Sequence, residues 1–224
     1  MGTVALDIGT ISPGVDESTG VDLQNSRHFE LLCIGVGYRE TPTSEPEVDV
    51  LWRPGVDTGD EYQLLARLAE WLTNHPIDQI LTNNGVDFDV RHIQGRASIV
   101  ADEVRDPSLS ELLHLEFTVP NHRDLMHDVI SRHGHRLSLE DAVETHVGEQ
   151  VPRTLWEGSP VSNSDIPRLG EEWMNHRSGG ESARRRLRGR VSAGRALRLR
   201  ESRHRRPVRR DHVHDGASGR QVRR

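Results

Sequence analysis

Hydrophobic and polar residues alternate in three segments near the start of the chain, as they do in β-strands that bury one face. In the first segment, Val4, Leu6 and Ile8 alternate with smaller or polar residues. Residues 28–38 and 47–52 continue the pattern, and the short link between them is rich in turn-forming residues. Because strands that follow one another directly tend to pair antiparallel, we predict an antiparallel meander.

Further along the chain, apolar residues recur at helical spacing, and helices alternate with strands. Thr58 and Glu61 form a capping-box pattern that predicts a helix ending near His75. Residues 77–84 are predicted as a fourth strand that runs into a polar turn. The other predicted elements are a helix capped by Ser108 and Glu111, a fifth strand at 115–121, a helix from Asn121 to Gly134, and a helix from Ser138 to Gly148 whose Leu139, Val143 and Val147 face inward.

This order of elements predicts an α/β fold in which a mixed sheet of about five strands has helices on both faces. Consecutive strands favour antiparallel pairing, whereas strands separated by helices favour parallel crossover units. The arrangement is similar to that of ribonuclease H-like domains, and other mixed sheets also satisfy the order.

The periodic pattern ends near residue 179, where the charge of the chain reverses. Residues 1–177 contain 31 acidic residues and 13 arginines, whereas residues 178–224 contain 4 acidic residues and 16 arginines. We therefore predict one domain at residues 1–177 and an arginine-rich, low-complexity tail at residues 178–224. Two interpretations of the tail remain open: a disordered arm that binds nucleic acid, and a stretch translated from a shifted reading frame.

Composition indicates the setting of the protein more than its reaction. The chain has no lysine and its predicted domain is strongly acidic, which favours a halophilic source. Cys33, the only cysteine, lies in an apolar run, so we expect a buried thiol, no disulfide framework and a cytoplasmic location. No apolar run approaches the length of a membrane span, so we expect no membrane partner.

The most specific pattern follows the fourth predicted strand and consists of Asn84, Gly85, Val86, Asp87, Phe88 and Asp89. It resembles the second motif of the DEDD superfamily of 3′–5′ exonucleases, especially that of the proofreading domains of family-B DNA polymerases. The resemblance implies that Asp89 binds metal and that Asn84, Gly85 and Phe88 shape the substrate site. The alternative is an ordinary Asn-Gly turn with solvated acidic residues.

Asp7 lies on the first predicted strand, where the first motif of this superfamily, Asp-X-Glu, would fall. The resemblance implies that Asp7 and Asp89 are catalytic, holding two Mg²⁺ or Mn²⁺ ions that promote hydrolysis of phosphodiester bonds at the ends of single-stranded DNA or RNA. Gly9 stands where the motif has its glutamate, and no aspartate with the spacing of the third motif follows. We therefore expect a degenerate enzyme with impaired activity.

Asp124 belongs to a third pattern of interest. His122, Asp124 and Leu125 resemble a His-X-Asp-Leu pattern of predicted archaeal exonucleases related to family-B polymerases. The resemblance implies an archaeal source and a further metal ligand at Asp124. A carboxylate in the first turn of a helix also compensates the positive end of the helix dipole, so both roles remain open.

Two other functions remain open. The run from Asp7 to Thr10 also resembles the first phosphate-binding turn of the sugar-kinase and actin superfamily, which implies an ATP-binding domain. A degenerate nuclease site is also compatible with a nucleic-acid-binding protein without catalysis, in which the tail supplies phosphate contacts.

Five histidines lie close together in the sequence, and they raise the question of a zinc site. They lack cysteine partners and a recognised ligand spacing. We therefore predict solvated helix faces for His122, His127, His133, His135 and His146.

Overall fold

The computed structural model describes residues 2–13, 15, 20–148, 150, 155–156, 159–160 and 165–177. Along the chain, this part forms β1 (Thr3–Ile11), β2 (Glu30–Arg39), β3 (Glu47–Trp52), α1 (Thr58–Thr73), β4 (Gln79–Thr82), α2 (Asp89–Val104), α3 (Ser108–Thr118), β5 (Asn121–Asp124), α4 (Leu125–His133), α5 (Leu139–Val147), β6 (Leu155–Trp156), β7 (Ser159–Pro160) and α6 (Ile166–Arg177). A short 3₁₀ helix, Ser26–His28, precedes β2.

The first five strands form one mixed sheet in the order β3-β2-β1-β4-β5. β2 is antiparallel to both β1 and β3, whereas β4 is parallel to both β1 and β5. The pairing follows the connections, because helices return the chain between the parallel strands. β6 and β7 pair antiparallel in a separate two-stranded sheet. The predicted α/β class, a mixed sheet of about five strands flanked by helices, is confirmed, and its likeness to ribonuclease H-like domains stays a prediction.

The main hydrophobic core lies between the sheet and helices α1, α2 and α3. β1 contributes Val4, Leu6 and Ile8, the alternating positions predicted from the sequence. The helices contribute Leu64, Leu65, Leu68 and Leu72 from α1, Ile93, Ala97 and Val100 from α2, and Leu109, Leu113 and Phe117 from α3. Because successive residues of a strand point to opposite faces, Asp7 and Gly9 point away from this core.

A network of buried charges joins β2, α1 and α2 beside the core. Glu61 of α1 is fully buried, and its carboxylate accepts bonds of 2.9 and 2.7 Å from the Arg96 guanidinium and one of 2.8 Å from the Leu31 N–H. Arg53, 1% exposed, bonds to Glu30 and lies 3.9 Å from Glu61. Removing one member of such a network strongly destabilises the folded protein, because an uncompensated charge stays buried.

The predicted cap of α1 was wrong by one residue. Asp57 is the N-cap, and the Asp60 side chain accepts a bond of 3.1 Å from the Asp57 N–H. Thr58 is the first helical residue, and Glu61 turns inward to Leu31 and Arg96 instead of capping the helix. The helix ends at Thr73, close to the predicted end.

The predicted fifth strand at 115–121 was also misplaced. α3 continues through Thr118, and the strand occupies Asn121–Asp124. The helix persists because Leu109, Leu113 and Phe117 repeat every four residues and are all buried against the core. The cap of α3 differs as well, since the Asp106 side chain accepts bonds from the backbone and hydroxyl of Ser108.

The last predicted helices are present with two corrections. α4 is capped by Asp124 rather than Asn121, because Asn121 is part of β5. Gly134 ends α4 with a φ of 74°, as predicted. α5 lies between the predicted caps, Ser138 and Gly148. Its predicted inward face was wrong at two of three positions, since Leu139 is 46% and Val147 63% exposed, whereas Val143 is half-buried.

The predicted tail at residues 178–224 lies outside the described residues, so the boundary at residue 177 and both interpretations of the tail stay predictions. Among the helices of the described part, none has the length and apolar composition needed to cross a membrane.

Candidate functional site

The carboxyl ends of the three parallel strands bring the predicted site residues to one edge of the sheet. β4 ends at Thr82, which pairs with Asp124 at the end of β5. Ala5 pairs with Leu81, so Asp7 lies two residues further along β1, level with the turn that follows β4. Loops and helix starts at such an edge are where open α/β sheets place their ligands.

Asp7 and Asp89 share this edge. Asp89 is the first residue of α2 and is 4% exposed, and its Oδ1 accepts a bond of 3.2 Å from the Ile8 N–H. That contact places the Asp89 carboxyl beside Asp7, close enough for the negative charge of Asp7 to raise the pKa of Asp89. The two acidic residues predicted as catalytic therefore meet, although 82 positions separate them in the sequence.

The proximity of the two carboxyls changes their acidity. Burial, followed by the negative charge of Asp7, raises the pKa of Asp89 to about 7. Although Asp7 reaches the surface, the surrounding protein displaces enough water from its carboxyl to raise the pKa of Asp7 as well, and Glu140 of α5 acts in the same direction. Both carboxyls therefore bind a proton more readily than isolated carboxyls do, as expected for a close pair of like charges.

Asp124 lies at the same edge of the sheet, at the end of β5. Its Oδ1 accepts bonds from the N–H groups of Asn84, at 2.8 Å, and Met126, at 3.0 Å, while its Oδ2 accepts one of 3.0 Å from Val86. Three backbone donors thus fix the carboxylate, which caps α4 and clamps the turn after β4. This geometry provides the capping role that the sequence left open, and the role of metal ligand stays a prediction.

The Asn-Gly turn has the conformation that its residues favour. Asn84 has a φ of 70°, a left-handed conformation that asparagine tolerates better than most residues. Gly85 is buried against Thr82, where any side chain would overlap the threonine. The Phe88 ring packs edge-on against Phe29, with centroids 5.5 Å apart, and so anchors the start of α2. The substrate contacts predicted for Asn84, Gly85 and Phe88 stay predictions.

Gly9 faces Cys33 on the adjacent strand. The two residues pair across β1 and β2, next to an irregularity between Gly9 and Thr10. A Cβ on Gly9 would lie 2.7 Å from the Cys33 Sγ, which is closer than Cβ atoms pack in proteins. Burial, followed by the charge of Asp7, raises the pKa of Cys33 to about 12, so the thiol is protonated. The Cys33 Sγ therefore occupies the space that the Cβ of an acidic residue at position 9 would need.

The donor set around the pair consists of oxygens, which suit Mg²⁺ or Mn²⁺. The raised pKa values of Asp7 and Asp89 indicate that their surroundings stabilise the two negative charges poorly, and a divalent cation bound there would compensate those charges. Within the described residues, no three or more histidine, cysteine, aspartate or glutamate side chains are grouped so that they could hold a metal ion. The residues thus fit a two-carboxylate site that is weaker than the site implied by the resemblance.

A groove of about 790 Å³ opens beside the Asn-Gly turn, and no sequence pattern predicted it. Its walls come from α2, α3, β5 and the 3₁₀ helix, and its polar lining includes Ser26, Arg91, Gln94, His114 and His122. His122 bonds to the Thr82 hydroxyl at 2.8 Å, and burial lowers the pKa of His122, so its ring is neutral at pH 7. The groove does not include Asp7 or Asp89 in its lining.

Comparison with known proteins adds information on the fold. No protein-family model and no curated protein matches the chain. Among solved structures, the chain is similar to the family B DNA polymerase from the hyperthermophilic archaeon Pyrobaculum calidifontis, with a TM-score of 0.52 and 15% sequence identity. The match covers 83% of this chain and 22% of the polymerase chain, so this chain corresponds to about a fifth of that protein. At this identity the likeness concerns the fold alone, and it supports the predicted relation to family-B polymerases at that level.

Proposed function

We propose that this protein is a metal-dependent 3′–5′ exonuclease-like protein that acts on the ends of single-stranded DNA or RNA. The observation that carries the proposal is the proximity of the Asp7 and Asp89 carboxyls at the carboxyl edge of the parallel strands, where the Ile8 N–H bonds to Asp89. The likeness in fold to a family B DNA polymerase supports a domain that works on nucleic acid.

The residues of the pair have separable tasks in this proposal. Mg²⁺ or Mn²⁺, when bound, supplies Lewis-acid stabilisation of the phosphate and lowers the pKa of an attacking water. The Ile8 N–H holds Asp89 in place and Asp7 reaches solvent, so Asp7 would offer its carboxylate to an ion from the exposed side and Asp89 from the buried side. The Asn84–Gly85 turn, clamped by Asp124, would orient the terminal nucleotide.

The small number of carboxylates at this site predicts slow cleavage of phosphodiester bonds. Position 9 is a glycine and contributes no carboxylate, and the sequence contains no aspartate with the spacing of the third motif. A site with fewer bridging carboxylates holds two ions less tightly and loses part of the charge stabilisation on which phosphodiester hydrolysis depends. Cleavage should therefore require millimolar Mn²⁺ and proceed slowly.

The second candidate function is nucleic-acid binding without catalysis, and the Gly9–Cys33 contact favours it. In that case the acidic pair would be a remnant, and binding would depend on other surfaces. Binding through arginines would fall steeply as salt is raised, whereas binding through a metal would be abolished by a chelator. The third possibility, an ATP-binding domain of the sugar-kinase and actin type, rests only on the run from Asp7 to Thr10.

The decisive experiment follows 5′-labelled single-stranded DNA and RNA with the full chain in Mn²⁺, in Mg²⁺ and in EDTA. We expect stepwise shortening from the 3′ end in Mn²⁺, lost in D7N and D89N. Asp87→Asn is the matched control, because Asp87 is an exposed acidic residue of the same motif. Shortening that survives in D89N contradicts the exonuclease proposal, and retention of the oligonucleotide without cleavage supports the binding protein.

A further inference from the structure

Two histidines meet where α4 and α5 end. His133 is the last residue of α4, and His146 lies in the last turn of α5. Their Nε2 atoms lie 3.2 Å apart, and their ring centroids are 5.1 Å apart. Both side chains are exposed, as the sequence predicted, but the rings face each other across the helix pair.

The distance between the two nitrogens suits two ligands of one metal ion. With zinc–nitrogen bonds of 2.0–2.1 Å in tetrahedral geometry, two imidazole nitrogens on the same ion are about 3.3 Å apart. The 3.2 Å between His133 and His146 is close to that value. A direct hydrogen bond also fits the distance, but it requires that one neutral ring donate and the other accept.

The electrostatic surroundings favour a cation. The carboxyl end of a helix carries a partial negative charge, and both histidines lie in the last turn of a helix. Each helix is closed by a left-handed glycine, Gly134 with a φ of 74° and Gly148 with a φ of 72°. The two Nε2 atoms therefore lie near the negatively polarised carboxyl ends of α4 and α5.

Within the described part of the chain, α5 has little buried surface that could hold it in place. None of its residues is buried, and its apolar residues Leu139 and Val147 are 46% and 63% exposed. A helix of nine residues without a buried face is marginal in water. A link between His133 and His146 would stabilise both the helix and its position beside α4.

We propose that His133 and His146 bind a divalent transition-metal ion of the Zn²⁺ type, and that this ion fastens α5 to α4. Imidazole nitrogens select Zn²⁺, Ni²⁺ and Cu²⁺ over Mg²⁺ and Mn²⁺. The site is therefore chemically distinct from the Asp7–Asp89 pair and does not depend on the proposed nuclease function. Because the described residues offer no group of three or more such ligands around one point, water completes the coordination and the affinity is below that of structural zinc sites.

The test uses the metal-free full chain and titrates Zn²⁺ by calorimetry into four proteins: wild type, H133Q, H146Q and H127Q. His127→Gln is the matched control, because His127 is an exposed histidine of the same helix, α4. The tail has histidines of its own, at His204, His212 and His214, so the comparison among variants is the readout rather than the total amount of zinc bound. Excess Mg²⁺ in every titration keeps the carboxylate pair from contributing.

We expect one Zn²⁺ site whose affinity falls at least tenfold in H133Q and in H146Q and is unchanged in H127Q. Zn²⁺ should also slow amide hydrogen exchange across residues 139–147 in the wild type and not in H146Q. Identical isotherms for all four proteins, or exchange in α5 that is indifferent to Zn²⁺, would show that the two rings form only a hydrogen bond and would overturn the proposal.

Discussion

The Sγ atom of Cys33 lies 2.7 Å from the position that a Cβ on Gly9 would take. The two residues are direct partners across β1 and β2, and Cys33 also lies close enough to Asp7 for that charge to raise the pKa of the thiol. Gly9 on β1 and Cys33 on β2 are thus packed directly against each other. An acidic residue at position 9 cannot be accommodated while the sulfur stays where it is.

The contact between Gly9 and Cys33 predicts how a glutamate can be introduced at position 9. Gly9→Glu alone should destabilise the protein by about 1–3 kcal/mol, because the new side chain overpacks against the sulfur. The double variant Gly9→Glu, Cys33→Ala removes that conflict and should bind Mn²⁺ more tightly than the wild type, with faster cleavage if the exonuclease proposal is right. Urea unfolding and Mn²⁺ calorimetry on both variants measure the two effects.

Cys33→Ala alone is the control, and it should leave Mn²⁺ affinity unchanged because it adds no ligand. If the double variant binds Mn²⁺ no better than this control, position 9 does not serve the metal site. Equal stability of Gly9→Glu and the wild type would mean that the strands separate easily at this point.

The sequence predicts where Asp7 and Asp89 lie in the fold, but it does not predict the contact between Gly9 and Cys33. Alternation in β1 places Asp7 opposite the core positions, and the motif after β4 places Asp89 at the start of a helix, so their meeting follows from parallel pairing. The contact of Gly9 with Cys33 depends on a register that passes through an irregularity in β1, which no local pattern reveals.

Glu61 is a second residue whose tertiary contacts cannot be predicted from local sequence. Its spacing from Thr58 matches a capping box, yet its carboxylate bonds to Arg96, which lies 35 residues away. A local pattern and a tertiary partner compete for one side chain, and the tertiary partner prevails because two charge-assisted bonds form in a buried place. Sequence spacing alone cannot show that outcome.

The acidity of Asp89 predicts a dependence of stability on pH. The pKa of Asp89 is about 7 in the folded protein and near 3.8 when unfolded, so the folded state binds more protons between these values. Stability is therefore greatest below pH 4 as far as this group is concerned, and it falls as the pH rises to 7, by up to roughly 4 kcal/mol. Urea unfolding at several pH values, for the wild type and D89N, isolates this contribution.

D89N should lack this fall and should be more stable than the wild type at pH 8, where the wild type carries two adjacent charges. Mn²⁺ should raise the stability of the wild type at pH 8 more than that of D89N, since the ion takes the place of the proton. A constant difference between the two proteins from pH 5 to pH 8 would contradict the raised pKa.

A substitution of Asp124 can distinguish its structural role as a helix cap from a role as a metal ligand. Asp124→Asn keeps one carbonyl oxygen but replaces the other acceptor by an amide that cannot accept from Val86. We expect a loss of about 1–3 kcal/mol, because a buried backbone donor is left unsatisfied. If capping is its main role, Mn²⁺ affinity should fall far less in D124N than in D89N. Equal losses of affinity would instead make Asp124 a ligand.

The buried charge network gives the largest predicted loss of stability. Glu61→Gln keeps the size of the side chain but removes the negative charge that the Arg96 guanidinium contacts at 2.7 Å and that lies 3.9 Å from Arg53. The free energy of unfolding should fall by about 3–5 kcal/mol, because buried guanidinium charge loses its compensation. Glu70→Gln, an exposed change on the same helix, should alter it by less than about 1 kcal/mol. Urea unfolding measures both variants, and similar values for the two would show that water enters and solvates the network, so that β2, α1 and α2 are held together mainly by their apolar contacts.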